Sequence, residues 1–333
     1  VARQLFEYHP VFGYRFIPGL RARLDNDESG YLVRVNQAGF RSEREYKFGK
    51  RPGTHRVLLF GDSFTAGDGV SNRDRYGDLL EELVPGLEVY NFGLSSSGTD
   101  QQYLIFREFA RNYDHDAIVI GVLVENIRRN VARYRNTLTG EGSVELLAKP
   151  YFILRQDGTL ELGHSPVPKG AIDEAVLPPE ERGHIDRGGT FPLLRTAINA
   201  LGSRVKEQVQ RMTHYQPLPA YDRPDNPAWL LTKAILGQWA KESRVPVLIC
   251  PIPLYQYVEE MADPRPYQAR FAELATLDKV VVHDPLPDFQ RSSLVERRKY
   301  RFERNVHLTP MGHRVLAASL APCIAEVLEN THE

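Results

Sequence analysis

Five short and almost wholly apolar runs, each beside a helical pattern, constrain this chain more than any other feature. "VLLF" from Val57 precedes the amphipathic "YGDLLEELV", "LEVYNFG" precedes "DQQYLIFREFARNY", and "AIVIGVLV" follows. Further on, "AWLLTKAILGQWAKES" leads into "VPVLICPIP", "FAELATL" leads into "KVVVHDPL", and the helical "PMGHRVLAASLAPCIAEVLEN" closes the chain. Strands without a polar face must be buried on both sides, and strands alternating with helices are joined by crossovers. The pattern therefore predicts a parallel sheet with helices on either face.

Two segments fall outside that rhythm. Residues 1 to 54 carry short extended runs, "GYRFIPGLRARL" and "YLVRVNQAGF", broken by Pro, Gly and Asn, and read as a β-rich N-terminal extension that covers the core. The α/β domain spans 55 to 333, with an insertion at about 136–227 that is dense in Pro and Gly. Within it "PYFILRQDGTLELG" reads as a hairpin turning at Asp157-Gly158, and so long a stretch inside an α/β domain is expected to be functional.

Composition excludes more than it assigns. Lys and Arg number 42 against 43 Asp and Glu, so no global field favours nucleic acid or any other charged partner. Cys250 and Cys323 sit in apolar runs and read as buried free thiols. No run approaches the roughly 20 apolar residues that cross a bilayer. The cytoplasm is the favoured compartment, and because the sequence begins with Val, export behind an upstream leader stays open. "FTAGDGV" lacks the Lys-Ser/Thr of a phosphate loop, no Gly-x-Gly-x-x-Gly follows a strand, and the histidines lack ligand spacing; neither a cofactor nor a metal is expected. The sequence does not specify an oligomeric state.

The chemistry concentrates where "VLLF" runs into Gly61-Asp62-Ser63. A strand exit of this kind lies at the carboxyl edge of the sheet, where such folds bind ligands. Ser63 there can be a nucleophile or a cap for the next helix. Near the other end, "NVHLTPMGHRVLA" places His307 just before the closing helix, with Thr309 as its N-cap. Gly-Asp-Ser after the first core strand, together with His-Leu-Thr-Pro-x-Gly-His before the last helix, resembles the SGNH hydrolase superfamily, the GDSL-type esterases and lipases. The resemblance covers roughly residues 55 to 135 and 228 to 328. It implies a three-layer α/β/α domain around a flavodoxin-like parallel sheet of about five strands. It also implies acyl chemistry on Ser63 with His307 as general base, and oxyanion donors from the Ser63 N–H, a glycine N–H after the second strand and an asparagine after the third.

Three positions depart from that family pattern. In "NFGLSSSGTDQQ" the glycine is replaced by Ser96, which keeps a backbone N–H. In "GVLVENIRRN" Glu125-Asn126 stands where the family reads Asn-Asp. An ionised Glu125 facing an oxyanion would repel it. It is therefore a neutral donor, or Asn126 supplies the amide, or Glu125 works elsewhere near Ser63 and His307, or it simply pairs with Arg128, Arg129 or Arg133. The aspartate before the histidine is also missing, and Asn305 and Arg304 occupy its places. The expected working set is Ser63, His307 and Glu125, with Ser63, Ser96 and Asn126 as oxyanion donors and Asp62 and Asn305 in support. Arginines crowd both segments, and Arg128, Arg129, Arg301 and Arg304 are expected to bind an anionic saccharide or related small molecule. The expected activity is that of a serine esterase, with O-acyl transfer and a degenerate glycan-binding protein as alternatives.

Overall fold

The computed structural model describes residues 4–26, 30–138, 143–187, 216–303 and 305–330. At its centre lie five parallel strands, β5 (His55–Gly61), β6 (Leu87–Asn91), β7 (Ala117–Leu123), β13 (Val247–Ile252) and β14 (Val280–Val282), in the spatial order β14-β13-β7-β5-β6. Counted among themselves, these strands run 2-1-3-4-5, an order that reverses direction between β5 and β7 and opens a crevice at the carboxyl ends of those two strands. Val57 pairs with Ala117, and Gly61 with Gly121.

Neighbouring residues of β5 serve opposite helical layers, as the period of two requires. Leu59 lies against Gly77 of α2 (Tyr76–Leu83), so close that a Cβ on the glycine would stand 2.7 Å from its Cδ2. Phe60 instead meets Phe106 of α3 (Thr99–Glu108) at 6.1 Å and Trp239 of α5 (Pro227–Glu242) at 4.9 Å between ring centroids. The closing helix α6 (Pro310–Glu329) packs on α2, and α3 packs on α5. Helices thus cover both faces, which is why every residue of β7 and β13 is buried. By length and composition α6 could cross a bilayer, contrary to the sequence expectation, but here it serves as a core helix with its apolar face against α2.

Among the described residues of the N-terminal segment, β1 (Phe6–His9) pairs antiparallel with β2 (Gly13–Phe16) and β3 (Arg21–Leu24) with β4 (Tyr31–Arg34). Phe12, Phe16, Val33 and Phe40 join the same apolar core as the sheet. Arg41 is 1% exposed and donates to Gly67 O (2.6 Å), Val70 O (2.7 Å) and Asn72 Oδ1 (3.1 Å). Burial and the neighbouring Arg75 pull its pKa down to about 10, and its donors hold the carbonyls of the loop that follows Ser63.

The mid-chain segment pairs β8 (Tyr134–Leu138) with β9 (Val144–Ala148) antiparallel and with β12 (Ile185–Asp186) parallel. A separate hairpin joins β10 (Tyr151–Leu154) to β11 (Leu160–Gly163) and turns through Gly158 at φ +82°. Lys149 ties this region to the domain: it forms a buried ion pair with Asp100 and donates to Arg129 O (3.1 Å) and Ala132 O (3.0 Å).

Candidate active site

Ser63 opens α1 (Ser63–Ala66), a single turn leaving the end of β5 and closed by Gly67 at φ +81°. Asp62 caps it, Oδ1 accepting from Phe64 N at 3.0 Å. As the first helical residue, Ser63 has an N–H with no intrahelical partner. His307 arrives from 244 positions away, and its Nε2 lies 2.9 Å from Ser63 Oγ. A tight return holds it: Phe302 N donates to His307 O (3.0 Å), Thr309 N donates to Tyr300 O (2.9 Å), and Thr309 then caps α6. Phe302 also lies against Gly69, where a Cβ would come within 2.7 Å of its ring, so the loop after α1 and the histidine segment pack directly together.

Asn305 Oδ1 lies 3.2 Å from His307 Nδ1 and also accepts from the His307 backbone N–H at 3.2 Å. The same N–H also donates to Asn305 O, so the way the amide faces is an assignment made from the donor pattern. With Nδ1–H given to Asn305 Oδ1, Nε2 is left as an acceptor for the serine hydroxyl.

Three loops converge beside Ser63, and one guanidinium joins them. Arg129 Nη1 donates to Asp62 Oδ2 (2.7 Å), Ser97 O (3.2 Å) and Asn126 Oδ1 (3.0 Å), reaching the exits of β5, β6 and β7 at once. Asn126 begins α4 (Asn126–Asn130) and is fully buried. With its oxygen held by Arg129, its Nδ2 has no hydrogen-bond partner among the described residues, although a buried amide donor left unpaired costs about 1–3 kcal/mol. Ser96 adopts φ +68°, the left-handed region that favours glycine. Its carbonyl accepts from Arg135, which also donates to Tyr14 of β2 at 3.1 Å, so the mid-chain segment and the N-terminal hairpin both hold this loop. Burial pushes the Asp62 carboxyl above the usual range, against the pull of Arg129, the Phe64 N–H and His307.

The structure places the other expected residues as follows. Glu125 pairs with Arg128 at 3.2 Å, and the place expected for it at His307 is taken by Asn305. Arg128 also donates to Pro217 O at 2.5 Å. Arg129, expected on substrate, is committed to the three loops. Arg301, likewise expected on substrate, bonds Glu259 at 2.6 Å and lies 4.3 Å over the Tyr255 ring. Arg304 lies outside the described residues. The joining role of Arg129 was missed from sequence, where its i,i+3 spacing from Asn126 was the available signal. Among the described residues no three His, Cys, Asp or Glu side chains cluster to hold a metal.

Fold and site together define a doubly wound α/β domain with a serine–histidine pair at its topological switch point. No family model and no curated protein matches the chain. Among solved structures it is similar to a member of the lipolytic protein G-D-S-L family from Veillonella parvula, at 12% identity and a TM-score of 0.42 over 81% of this chain and 97% of that one. It is also similar to TesA (11%, TM-score 0.43, 82% and 99% covered) and to the acetyl xylan esterase AlAXEase (14%, TM-score 0.42, 81% and 99% covered). At such identities no residue role is transferred from them.

Proposed function

We propose that this chain is a serine ester hydrolase that works through an acyl-enzyme. The contact between Ser63 Oγ and His307 Nε2 carries the proposal: 2.9 Å is hydrogen-bond reach for a nucleophile and its base. Ser63 attacks the ester carbonyl carbon and its proton passes to His307 Nε2, while Asn305 keeps Nδ1–H in place. The developing oxyanion is received by the Ser63 N–H, the Ser96 N–H and Asn126 Nδ2, whose lack of a hydrogen-bond partner among the described residues supports that role. His307 returns the proton to the departing alcohol and then activates water, which releases the acid. Because Arg128, Arg129 and Arg301 already face carboxylates, an anionic substrate is not part of the proposal.

A fluorophosphonate probe tests it: labelling is expected on wild type and absent in Ser63→Ala, with release of a free acid from a simple acetate ester. One observation favours a second reading. Asn305 is neutral and does not stabilise an imidazolium as an anion would, which suits a protein that binds an acylated ligand without turning it over. Folded protein that takes no label would support that reading and overturn the first.

A further inference from the structure

The loop after β6 packs directly on the turn that carries Ser63: Leu94 N donates to Gly61 O at 3.0 Å, and a Cβ on Gly93 would stand 2.5 Å from Ala66 N. Ser97 N then donates to Leu94 O at 3.0 Å, closing a turn over residues 94–97. Its third residue, Ser96, is at φ +68°, whereas Ser95 before it does not have a positive φ. That combination is the type II turn, whose third position selects glycine because a Cβ disfavours positive φ. A serine there favours the type I form. The two forms differ by about half a rotation of the central peptide, which exchanges the sides of Ser95 C=O and Ser96 N–H.

A contact from outside the sheet selects the disfavoured form. Tyr14 of β2 donates its hydroxyl to Ser95 O at 2.8 Å. Tyr14 Oη in turn accepts from Arg135 Nη1 at 3.1 Å, which leaves the hydroxyl proton to the carbonyl, and the same guanidinium donates to Ser96 O. Burial pushes the Tyr14 hydroxyl above its usual range, against the pull of Arg135 and Arg129, so it keeps that proton. A trans peptide is planar and points its C=O and N–H in opposite directions. Holding Ser95 O toward Tyr14 therefore turns the Ser96 N–H away from it. Were the peptide to flip, a carbonyl oxygen would stand where the N–H had been, and an acceptor repels an oxyanion that a donor would stabilise.

Given the ester hydrolase reading, on which this rests, we infer that Tyr14 is a positioning residue for the oxyanion site. Its hydroxyl holds the Ser95–Ser96 peptide in the type II form that a serine would otherwise leave, and so keeps the Ser96 N–H on the reacting carbonyl oxygen. The N-terminal hairpin thereby supplies what a glycine at position 96 would supply unaided.

Hydrolysis of phenyl acetate by Tyr14→Phe, by Ser96→Gly and by the double variant, beside fluorophosphonate labelling of the parent protein, tests this. Tyr14→Phe removes only the hydroxyl and is expected to lower kcat at least about tenfold, toward the loss of a whole oxyanion donor, with KM moved less than about twofold. Ser96→Gly gives the turn its preferred residue, so the same Tyr14→Phe change in that background is expected to cost less than about threefold in kcat. Lost packing around Tyr14 would not be recovered by a glycine in another loop. Should Tyr14→Phe not fold, Arg135→Met, which removes the donor to both Tyr14 Oη and Ser96 O, is compared in the same two backgrounds with the same expectation. Unchanged kcat in Tyr14→Phe, or an equal loss with and without Ser96→Gly, overturns the role of Tyr14, while a labelled and active parent spares the hydrolase. A folded parent that takes no label and releases no acid overturns hydrolysis and this role with it.

Discussion

Replacing Asn305 by aspartate puts a charge where the structure has a neutral acceptor, 3.2 Å from His307 Nδ1. Two unit charges at that distance attract by about 5 kcal/mol at an effective dielectric near 20 and by about 1.3 kcal/mol in bulk water. Both side chains are half-buried, so the gain falls between those bounds. At about 1.36 kcal/mol per pKa unit, Asn305→Asp should raise the His307 pKa by at least about one unit. The sign follows from the charged form: an adjacent carboxylate favours imidazolium. Acylation needs the neutral base, so the acidic limb of the profile of kcat/KM against pH should move to higher pH by that amount. The plateau should rise, by about tenfold per 1.36 kcal/mol to the extent that imidazolium has formed in the transition state. A phenyl acetate assay from pH 5 to 9, with the histidine followed by NMR, reads both quantities. A folded Asn305→Asp protein whose profile and imidazole titration match wild type would refute the claim that Asn305 orients His307.

Asn126→Ala removes the unpaired Nδ2 and should lower kcat by about 10²–10³. It loses one bond to Arg129 but also removes an orphaned donor, so melting temperature should change little; calorimetry and kinetics on one sample check both. Arg129→Met leaves the buried Asp62 without its partner and should cost about 3–5 kcal/mol near neutral pH. Without Arg129 the folded-state pKa of Asp62 rises further, so the deficit should shrink as pH falls toward 4, a trend that denaturant melts would show or deny. His313 is buried, its Nδ1 accepts from Tyr76 N at 3.2 Å, and burial with nearby Arg75 and Arg41 pulls its pKa down to about 3. Its unfolded state binds the extra proton below about pH 6.5, so its contribution is full above that value and is lost at about 1.4 kcal/mol per unit as pH falls toward 3. His313→Asn offers Oδ1 to the same N–H and should flatten the stability profile between pH 4 and 6.5.

The sheet was legible because burial on both faces leaves an unbroken apolar run, and "AIVIGVLV" reports that burial directly as β7. Gly-Asp-Ser was legible for a similar reason, since an abrupt exit from such a run must lie at a sheet edge. What the sequence could not carry was partner choice among charges. Glu125 had Arg128, Arg129 and Arg133 close after it in sequence and two roles at the site, and spacing alone does not rank them. The outcome is decided across the sheet: Asp62, a full element away, draws Arg129 inward, and Glu125 is left to Arg128. Arg129 also fixes the side chain of Asn126, the residue after Glu125. Arg129 holds Oδ1, so the amide's N–H₂ faces the other way, with no acceptor among the described residues. On the proposed mechanism, the arginine expected to bind substrate instead orients the oxyanion donor.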